Sequence, residues 1–217
     1  MTTVAIDGPA GAGKSTVARA LADRLGMTYV DTGAMYRAVA LAALEQGVDP
    51  TDGAAVGDLA LRVRVGAAGD KVTLDGRDVT TRIRGTDVTG AAATIAAHGA
   101  VRAALVAVQR RAAADGDVVM EGRDIGTKVL PKADVKVFLT ASLDERAARR
   151  GRDEGVSKDR LSDVAEAIAE RDRRDSTRSE SPLAKAPDAV ELDTTAMPLD
   201  EVVATVARYV RRAGGER

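Results

Sequence analysis

The chain has 217 residues, enough for one hydrophobic core with attached subdomains. It has no cysteine and one histidine, which excludes disulfides, thiolate metal sites and histidine-based catalytic triads and suits a reducing cytoplasm. Its 32 basic and 33 acidic residues, and its four aromatic residues, provide neither the positive field nor the stacking surface typical of nucleic-acid binding.

No apolar run approaches the roughly 18 residues of a membrane span, and residues 1–3 lead directly into a predicted strand without a signal peptide. We therefore expect a cytoplasmic protein with no membrane or nucleic-acid partner. His98, beside Gly99, is interpreted as an ordinary loop or helix-end residue.

The first motif, residues 8–15, follows the phosphate-loop pattern of glycine, four residues and Gly-Lys-Ser. Residues 4–7 before it resemble a buried strand, and apolar residues recur at helical spacing up to Gly26. In such a loop Lys14 reaches the β- and γ-phosphates and the Ser15 hydroxyl binds Mg²⁺; the alternative is a glycine turn without a ligand. The predicted ATP-binding residues are Gly8, Pro9, Ala10, Gly11, Ala12, Gly13, Lys14, Ser15 and Thr16.

A second short strand, residues 28–30, is followed by Asp-Thr-Gly and by a helix over residues 34–45. That helix is almost wholly apolar except for Arg37. A buried guanidinium group needs an anionic partner, so Arg37 either pairs with a structural carboxylate or lies on a ligand face, and we favour the ligand face. A short helix is expected over residues 54–61.

The apolar period then changes to two, which predicts a small antiparallel meander with strands at 62–65, 71–74 and 78–80. This insertion is either an exposed decoration or part of a mobile subdomain on the substrate side. Residues 86–114 are rich in alanine and are predicted to be mostly helical.

The next buried strand, residues 117–120, is followed at once by Glu-Gly-Arg-Asp at 121–124. In open parallel sheets this end of a strand faces the ligand crevice, although a surface turn with compensating charges is the alternative. Further strands at 135–139 and 189–192 and a closing helix at 199–212 complete an alternation of strands and helices. The pattern predicts an α/β protein with a parallel sheet in a three-layer sandwich.

Residues 144–178 contain ten basic and ten acidic residues. The balanced charge favours a salt-bridged pair of helices over a nucleic-acid-binding surface. Within this segment Arg171, Asp175 and Arg178 share one helix face, where they either bind a phosphorylated sugar or pair with each other.

Four motifs occur in order along the chain, at residues 8–15, 31–37, 121–127 and 171–178. Together they resemble those of bacterial cytidylate kinases, and the resemblance runs nearly end to end. It implies a phosphate-loop nucleoside monophosphate kinase fold, with a five-stranded parallel sheet, nucleotide-binding and lid subdomains and a small antiparallel insertion. It also implies that ATP, with Mg²⁺, phosphorylates CMP or dCMP.

The resemblance assigns roles to individual residues. Lys14, Arg123 and Arg178 would be catalytic, and Ser15 and Glu121, the latter through water, would hold the metal ion. The residues that would bind the acceptor are Thr32, Arg37, Arg123 and Arg178 at its phosphate, Arg171 and Asp175 at the ribose, and Arg102 and Asp124 at the base. Ala93 stands where the family usually has a serine that contacts the base, and the candidate lid arginines are Arg149, Arg150 and Arg152.

The expected organisation is one domain over residues 1–217, with a core formed by 1–32, 101–143 and 179–217. Residues 33–100 would bind the nucleoside monophosphate and residues 144–178 would form the lid. Other open readings are a kinase of another acceptor, such as UMP, AMP or shikimate, and a non-catalytic ATP-binding regulator. A GTPase is disfavoured because the sequence lacks an Asn-Lys-x-Asp motif. A monomer is the default because no large apolar stripe extends beyond the predicted core.

Overall fold

The structure, a computed structural model, describes residues 1–114 and 116–214. The chain forms two compact units, one made of Met1–Met27 and Asp117–Arg217 and the other of Thr28–Gly116. The expected division into core, nucleotide-binding region and lid stays a prediction. Residues 115 and 215–217, which the sequence assigns to the core, lie outside the described residues.

The described residues form strands and helices in the alternating order expected of an α/β protein. The strands are β1 (Thr3–Asp7), β2 (Thr28–Asp31), β3 (Val65–Ala68), β4 (Lys71–Leu74), β5 (Arg77–Asp78), β6 (Val118–Glu121), β7 (Val135–Thr140) and β8 (Val190–Asp193). The helices are α1 (Lys14–Leu25), α2 (Thr32–Glu45), α3 (Gly53–Arg62), α4 (Thr86–Ile95), α5 (Gly99–Ala112), α6 (Leu143–Glu154), α7 (Leu161–Ser176) and α8 (Leu199–Ala213).

The larger sheet has five strands in the order β2-β6-β1-β7-β8. The pairings of β1 with β6 and β7, and of β7 with β8, are parallel. Every residue of β6 is buried, as is β1 from Val4 onwards, as expected for the inner strands of a parallel sheet. The predicted α/β class with a five-stranded parallel sheet is therefore confirmed. The last strand begins at Val190, one residue later than expected.

Glycines mark both ends of α1, as its sequence predicts. Gly13 precedes the helix with a φ of +82°, and Gly26 follows it with a φ of +65° and donates its N–H to the carbonyl of Ala22. The apolar side of this helix, including Val17 and Leu21, is buried. The helix therefore begins directly behind the predicted phosphate loop.

The charge-dense segment forms the packed helices α6 and α7, as its balanced charge indicated. The Ser142 hydroxyl caps α6 by accepting the N–H of Glu145 at 3.3 Å. Ion pairs within the helices include Arg150 with Glu154 and Arg173 with Glu170. Most of the outer charge of this pair of helices is thus compensated locally.

In the second unit, β3, β4 and β5 form the expected antiparallel meander. Its first strand was placed wrongly at 62–65, because α3 continues through Arg62 and the N–H of Val63 still donates to Leu59. The strand instead covers residues 65–68 and turns at Gly69, which has a φ of +58°. The turn between β4 and β5 lies at residues 75–76, with φ values of +51° and +83° at Asp75 and Gly76.

The alanine-rich region is mostly helical, as predicted, and forms α4 and α5. His98 lies at the start of α5, where its Nε2 is 2.9 Å from the carbonyl oxygen of Pro50, in agreement with a helix-end residue. Within the described chain, no single helix has the length and apolar character of a membrane span. The two helices α4 and α5 meet those criteria only as a pair bent by 102°.

Candidate active site

The predicted phosphate loop, residues 8–15, connects the end of β1 to α1 in the first unit. Gly8, Gly11 and Gly13 have φ values of +149°, +75° and +82°, which side-chain-bearing residues rarely adopt. A Cβ atom on Gly8 would lie 2.1 Å from the carbonyl oxygen of Leu139 in β7. The loop therefore needs glycine both for its winding and for its close approach to the neighbouring strand.

Lys14 is the buried cation of this loop. The residue is 6% exposed, and its Nζ donates to the carbonyl oxygen of Pro9 at 2.8 Å. Burial, followed by repulsion from Arg123, lowers the pKa of Lys14 to about 7, while the carboxylate of Glu121 opposes the shift. A phosphate in the loop would supply the negative charge that favours the ammonium form.

Ser15 and Glu121 meet beside the loop. The Ser15 hydroxyl donates to Oε1 of Glu121 at 2.7 Å, and Glu121 is the buried last residue of β6. Hydroxyl and carboxylate oxygens are suitable ligands for Mg²⁺. This pair therefore fits a divalent cation that takes its other ligands from phosphate and water. Its long-range bond also argues against the reading of residues 121–124 as a self-compensating surface turn.

Asp175 in α7 joins two of the predicted phosphate-binding arginines. Its Oδ2 accepts from Nε of Arg123 at 2.9 Å, and its Oδ1 lies 2.7 Å from Nη2 of Arg178. All three side chains are half-buried. The two arginines thus lie in one cluster. Asp175 pairs with Arg178, which was one of the two alternatives that the sequence left open for this helix face. Arg171, one turn earlier on α7, is close enough to Lys14 to lower its pKa.

Asp124, three residues after the end of β6, is buried. The turn after it, residues 125–129, is held by a residue that the sequence analysis did not single out: Asp7, the last residue of β1. The Asp7 carboxylate accepts the N–H groups of Ile125 at 2.8 Å and Gly126 at 2.7 Å. Burial raises the pKa of Asp7 to about 6 despite these two bonds. An acidic residue ending an otherwise apolar strand was the available signal.

In the second unit, Asp31 organises the start of α2. Its Oδ1 accepts the N–H of Ala34 at 2.8 Å, and its Oδ2 accepts from Nη2 of Arg37 at 2.9 Å. Arg37 therefore pairs with a structural carboxylate, which was one of the two alternatives that the sequence offered for it. Its Nε is nevertheless buried without a hydrogen-bond partner among the described residues, which leaves a donor for an anion. Thr32, the first residue of α2, is buried.

Arg102, also in the second unit, is a buried arginine of α5. Its Nη1 donates to the carbonyl oxygen of Ala96 at 3.2 Å, and its guanidinium lies 5.5 Å from the centre of the Tyr36 ring. Ala93, at the position of the family serine, is exposed on α4, and Thr94 beside it is half-buried.

The candidate lid arginines differ in their surroundings. Arg149 is tied down, with Nη1 and Nη2 donating to the Oγ1 and carbonyl oxygens of Thr194 at 3.0 and 2.6 Å. Arg150 and Arg152 are more exposed and pair with glutamates. Arg146 and Asp172, which the sequence analysis missed, form an ion pair that contacts Ala10 of the phosphate loop. Nothing in a segment of ten basic and ten acidic residues singled them out.

A lysine and a serine at the end of a glycine-wound loop, between a parallel strand and a helix, define a phosphate-loop nucleotide-binding protein. Two solved structures share the fold. A gluconokinase from Sinorhizobium meliloti 1021 has a TM-score of 0.51 and 18% identity, over 97% of this chain and 92% of its own. An uncharacterized protein from Eubacterium ventriosum has a TM-score of 0.54 and 13% identity, over 97% and 98%.

The cytidylate kinase family model matches residues 4–212. The cytidylate kinase of Exiguobacterium sibiricum is 50% identical over 217 residues, which cover 97% of each chain. That of Geobacillus thermodenitrificans is 50% identical over 219 residues, covering 98% of this chain and 97% of the relative. The chain belongs to the cytidylate kinase family, and the resemblance noted in its motifs is confirmed.

Proposed function

We propose that this protein transfers the γ-phosphoryl group of ATP to CMP or dCMP, giving ADP and CDP or dCDP. The family match over residues 4–212 supports the choice of acceptor. The observation that carries the reaction class is the buried amino group of Lys14 in the phosphate loop. The next residue, Ser15, bonds to Glu121. Phosphoryl transfer needs such positive charge held in place and away from bulk water.

On the donor side, the loop over residues 8–16 would surround the ATP phosphates, with N–H groups from Gly11 onwards donating to them, and Lys14 would exchange its bond to Pro9 for phosphate oxygens. Ser15 and, through water, Glu121 would hold Mg²⁺, which when bound supplies further positive charge to the phosphates. Residues 144–178 would close over the site and exclude water, which otherwise accepts the phosphoryl group.

On the acceptor side, Thr32, Arg37, Arg123 and Arg178 would bind the monophosphate. In the described structure Arg123 and Arg178 pair with Asp175, so the phosphate would draw them into charge-assisted bonds of its own. The acceptor phosphate is mostly dianionic at pH 7 and is itself the nucleophile. We therefore assign no general base; Lys14, Arg123 and Arg178 would stabilise the charge of the transferring group.

Recognition of the nucleoside would depend on four further residues. Arg171 and Asp175 would bind the ribose, and Arg102 and Asp124 the base. Cytosine has acceptors at O2 and N3 and a donor at its amino group, which suit an arginine and an aspartate. Uracil reverses the last two and would leave buried groups unpaired.

Other proposals follow from the family and the sequence. They are a role in pyrimidine nucleotide metabolism, a cytoplasmic location, dependence on Mg²⁺, a nucleotide-binding subdomain with a lid, and a monomeric state. The large apolar side chains that are exposed in the described chain support the monomer, because they are scattered among different elements: Met1, Leu44, Leu61, Val190 and Leu199. Light scattering after gel filtration measures the mass directly, and a stable dimer would contradict the proposed monomeric state.

ADP formation from Mg·ATP tests the acceptor, with CMP, dCMP, UMP, AMP and GMP offered separately beside a blank without acceptor. We expect CMP and dCMP to exceed every other acceptor by at least tenfold in kcat/KM, about 1.4 kcal/mol. Equal use of UMP would show that Ala93 relaxes the base site, and the function would widen to pyrimidine nucleotide kinase. ATP binding without turnover on any acceptor would indicate a non-catalytic regulator.

The substitution Lys14→Ala tests the donor side. We expect kcat for CMP to fall by about a hundredfold or more, because one preorganised charge contact to the reacting group is lost. Lys71→Ala, which removes an exposed lysine of β4, is the control and should leave kcat unchanged. Circular dichroism checks that both variants fold, and full turnover in folded Lys14→Ala would refute the phosphate-loop assignment.

A further inference from the structure

Ala10, in the phosphate loop, has both of its main-chain polar groups bound by side chains from the α6 and α7 helices. Its N–H donates to Oδ1 of Asp172 at 2.9 Å, and its carbonyl oxygen accepts from Nη1 of Arg146 at 2.9 Å. Arg146 and Asp172 are themselves an ion pair. Nε of Arg146 also donates to the carbonyl oxygen of Ala141, which fixes the guanidinium from the other side. We call Arg146 and Asp172 the Ala10 clamp.

Apolar packing reinforces these bonds. The methyl group of Ala10 is buried in a cluster with Ala147 of α6 and Ile168 of α7. A Cβ atom on Gly11 would lie 3.0 Å from Cβ of Arg146, so the loop backbone and α6 are in direct contact. The helices α6 and α7 therefore hold one side of the phosphate loop.

The same helix carries acceptor-side groups. Asp172 follows Arg171 directly and precedes Asp175 by three residues, and Asp175 binds Arg123 and Arg178. A shift of α7 caused by acceptor binding would therefore reach Ala10 through Asp172, because adjacent residues of one helix move together. None of the proposed substrate contacts involves Arg146 or Asp172.

We infer that the Ala10 clamp is a positioning pair that holds the phosphate loop in its ATP-binding shape and makes ATP affinity depend on acceptor binding at α7. The first part depends only on the phosphate loop, whereas the second rests on the proposed function. Such dependence is reciprocal, so ATP would change CMP affinity by the same factor.

The experiment measures binding of a non-hydrolysable ATP analogue by calorimetry, first without acceptor and then with saturating CMP. Its variants are Arg146→Met, Asp172→Asn and the double variant. Each single change should weaken analogue binding about tenfold, equal to about 1.4 kcal/mol, and the double variant should lose little more, because both changes break one unit. The ratio of affinities with and without CMP should move towards one in all three.

The controls are Arg173→Met and Glu170→Gln, which break an exposed ion pair on the same helix beside Asp172. They should change neither affinity nor the CMP ratio by more than about twofold. If Arg146→Met does not fold, Arg146→Lys keeps the charge, but its single nitrogen cannot take the places of both Nε and Nη1, and it should show a smaller loss.

The amide proton of Ala10 gives a direct readout by NMR. Its chemical shift should change in Asp172→Asn and stay unchanged in Arg173→Met. Analogue affinity of folded clamp variants within twofold of the controls would overturn the positioning role. A wild-type affinity that CMP binding leaves unchanged would overturn the dependence on acceptor. If CMP does not serve as acceptor, no ADP will form. The titration of the ATP analogue without CMP still tests the positioning role of the clamp in that case.

Discussion

At the scale of single residues, the most informative groups are charges buried next to the phosphate loop. Lys14 and Asp7 are both buried and both have shifted pKa values, in each case chiefly because burial disfavours the charged form. Glu121 meets Ser15, and Asp175 meets two arginines. The protein thus gathers compensated charge in one region of its first unit, as sites for anions often do.

Lys14 should take up a proton when ATP binds. With a pKa of about 7 in the free protein, its side chain is mostly neutral at pH 8.5, and phosphate charge restores the ammonium form. We expect uptake approaching one proton per ATP at pH 8.5 and much less at pH 6. Calorimetry in buffers of different ionisation enthalpy measures this number. Lys14→Arg, which stays charged at both pH values, should show no such uptake.

Asp7 should make the protein less stable as the pH rises. The folded state holds the Asp7 proton up to about pH 6, whereas the unfolded chain releases it near 3.8. Between these values the unfolded state binds fewer protons, so the free energy of unfolding falls, by about 3 kcal/mol in total. The difference in this free energy between wild type and Asp7→Asn should therefore decline by most of that amount between pH 4 and 7, as measured by urea unfolding.

Asp134 offers a control of opposite sign. Its carboxylate accepts the N–H and hydroxyl of Thr3, and the bond to the N–H is the main reason that the pKa of Asp134 is lowered. The advantage of wild type over Asp134→Asn should grow as the pH rises. If the Asp7→Asn comparison shows no pH dependence over this range, Asp7 does not hold its proton in the folded protein.

At the scale of elements, glycine has opposite effects in the small antiparallel sheet and in α4. Gly76 has a φ of +83° in the turn between β4 and β5, whereas Gly90 is an exposed residue inside α4 with open space around it. Alanine at position 76 should cost about 1 kcal/mol of stability, because its Cβ disfavours that conformation. Alanine at position 90 should add a similar amount, because it favours the helix.

Urea unfolding of the two variants beside wild type measures both effects. The midpoint should fall for Gly76→Ala and rise for Gly90→Ala. A midpoint that rises for Gly76→Ala would mean that the turn does not need its left-handed residue, and one that falls for Gly90→Ala would mean that α4 gains nothing from alanine. The turn between β4 and β5 was predictable because Asp-Gly is a local signal for a hairpin turn. The start of β3 was not, because no local signal shows that α3 continues through Arg62.

At the scale of the whole molecule, the formal charge is −1 and the isoelectric point calculated from the sequence is about 6.0. Repulsion between molecules is weakest near this pH. We expect solubility in polyethylene glycol to pass through a minimum close to pH 6 and to rise on both sides. A scan from pH 5 to 8 at constant ionic strength tests this, and a solubility that still falls between pH 6.5 and 8 would contradict it.

Much of this protein is determined by sequence over short distances. The phosphate loop, α1 with its glycine ends, the parallel strands and the motif at 121–124 were all predicted, because glycine conformation, apolar periodicity and residue spacing act locally. The family, too, follows from four short motifs. The roles of individual residues towards CMP and ATP remain proposals.

Tertiary structure alone decided which charges meet. The bonds of Asp7 to residues 125–126, of Glu121 to Ser15 and of Asp172 to Ala10 join positions more than a hundred residues apart. No local pattern encodes such partners, since a carboxylate can pair with any donor that folding brings within hydrogen-bonding distance. The raised pKa of Asp7 likewise depends on burial, which is a property of the packed chain and not of the residue.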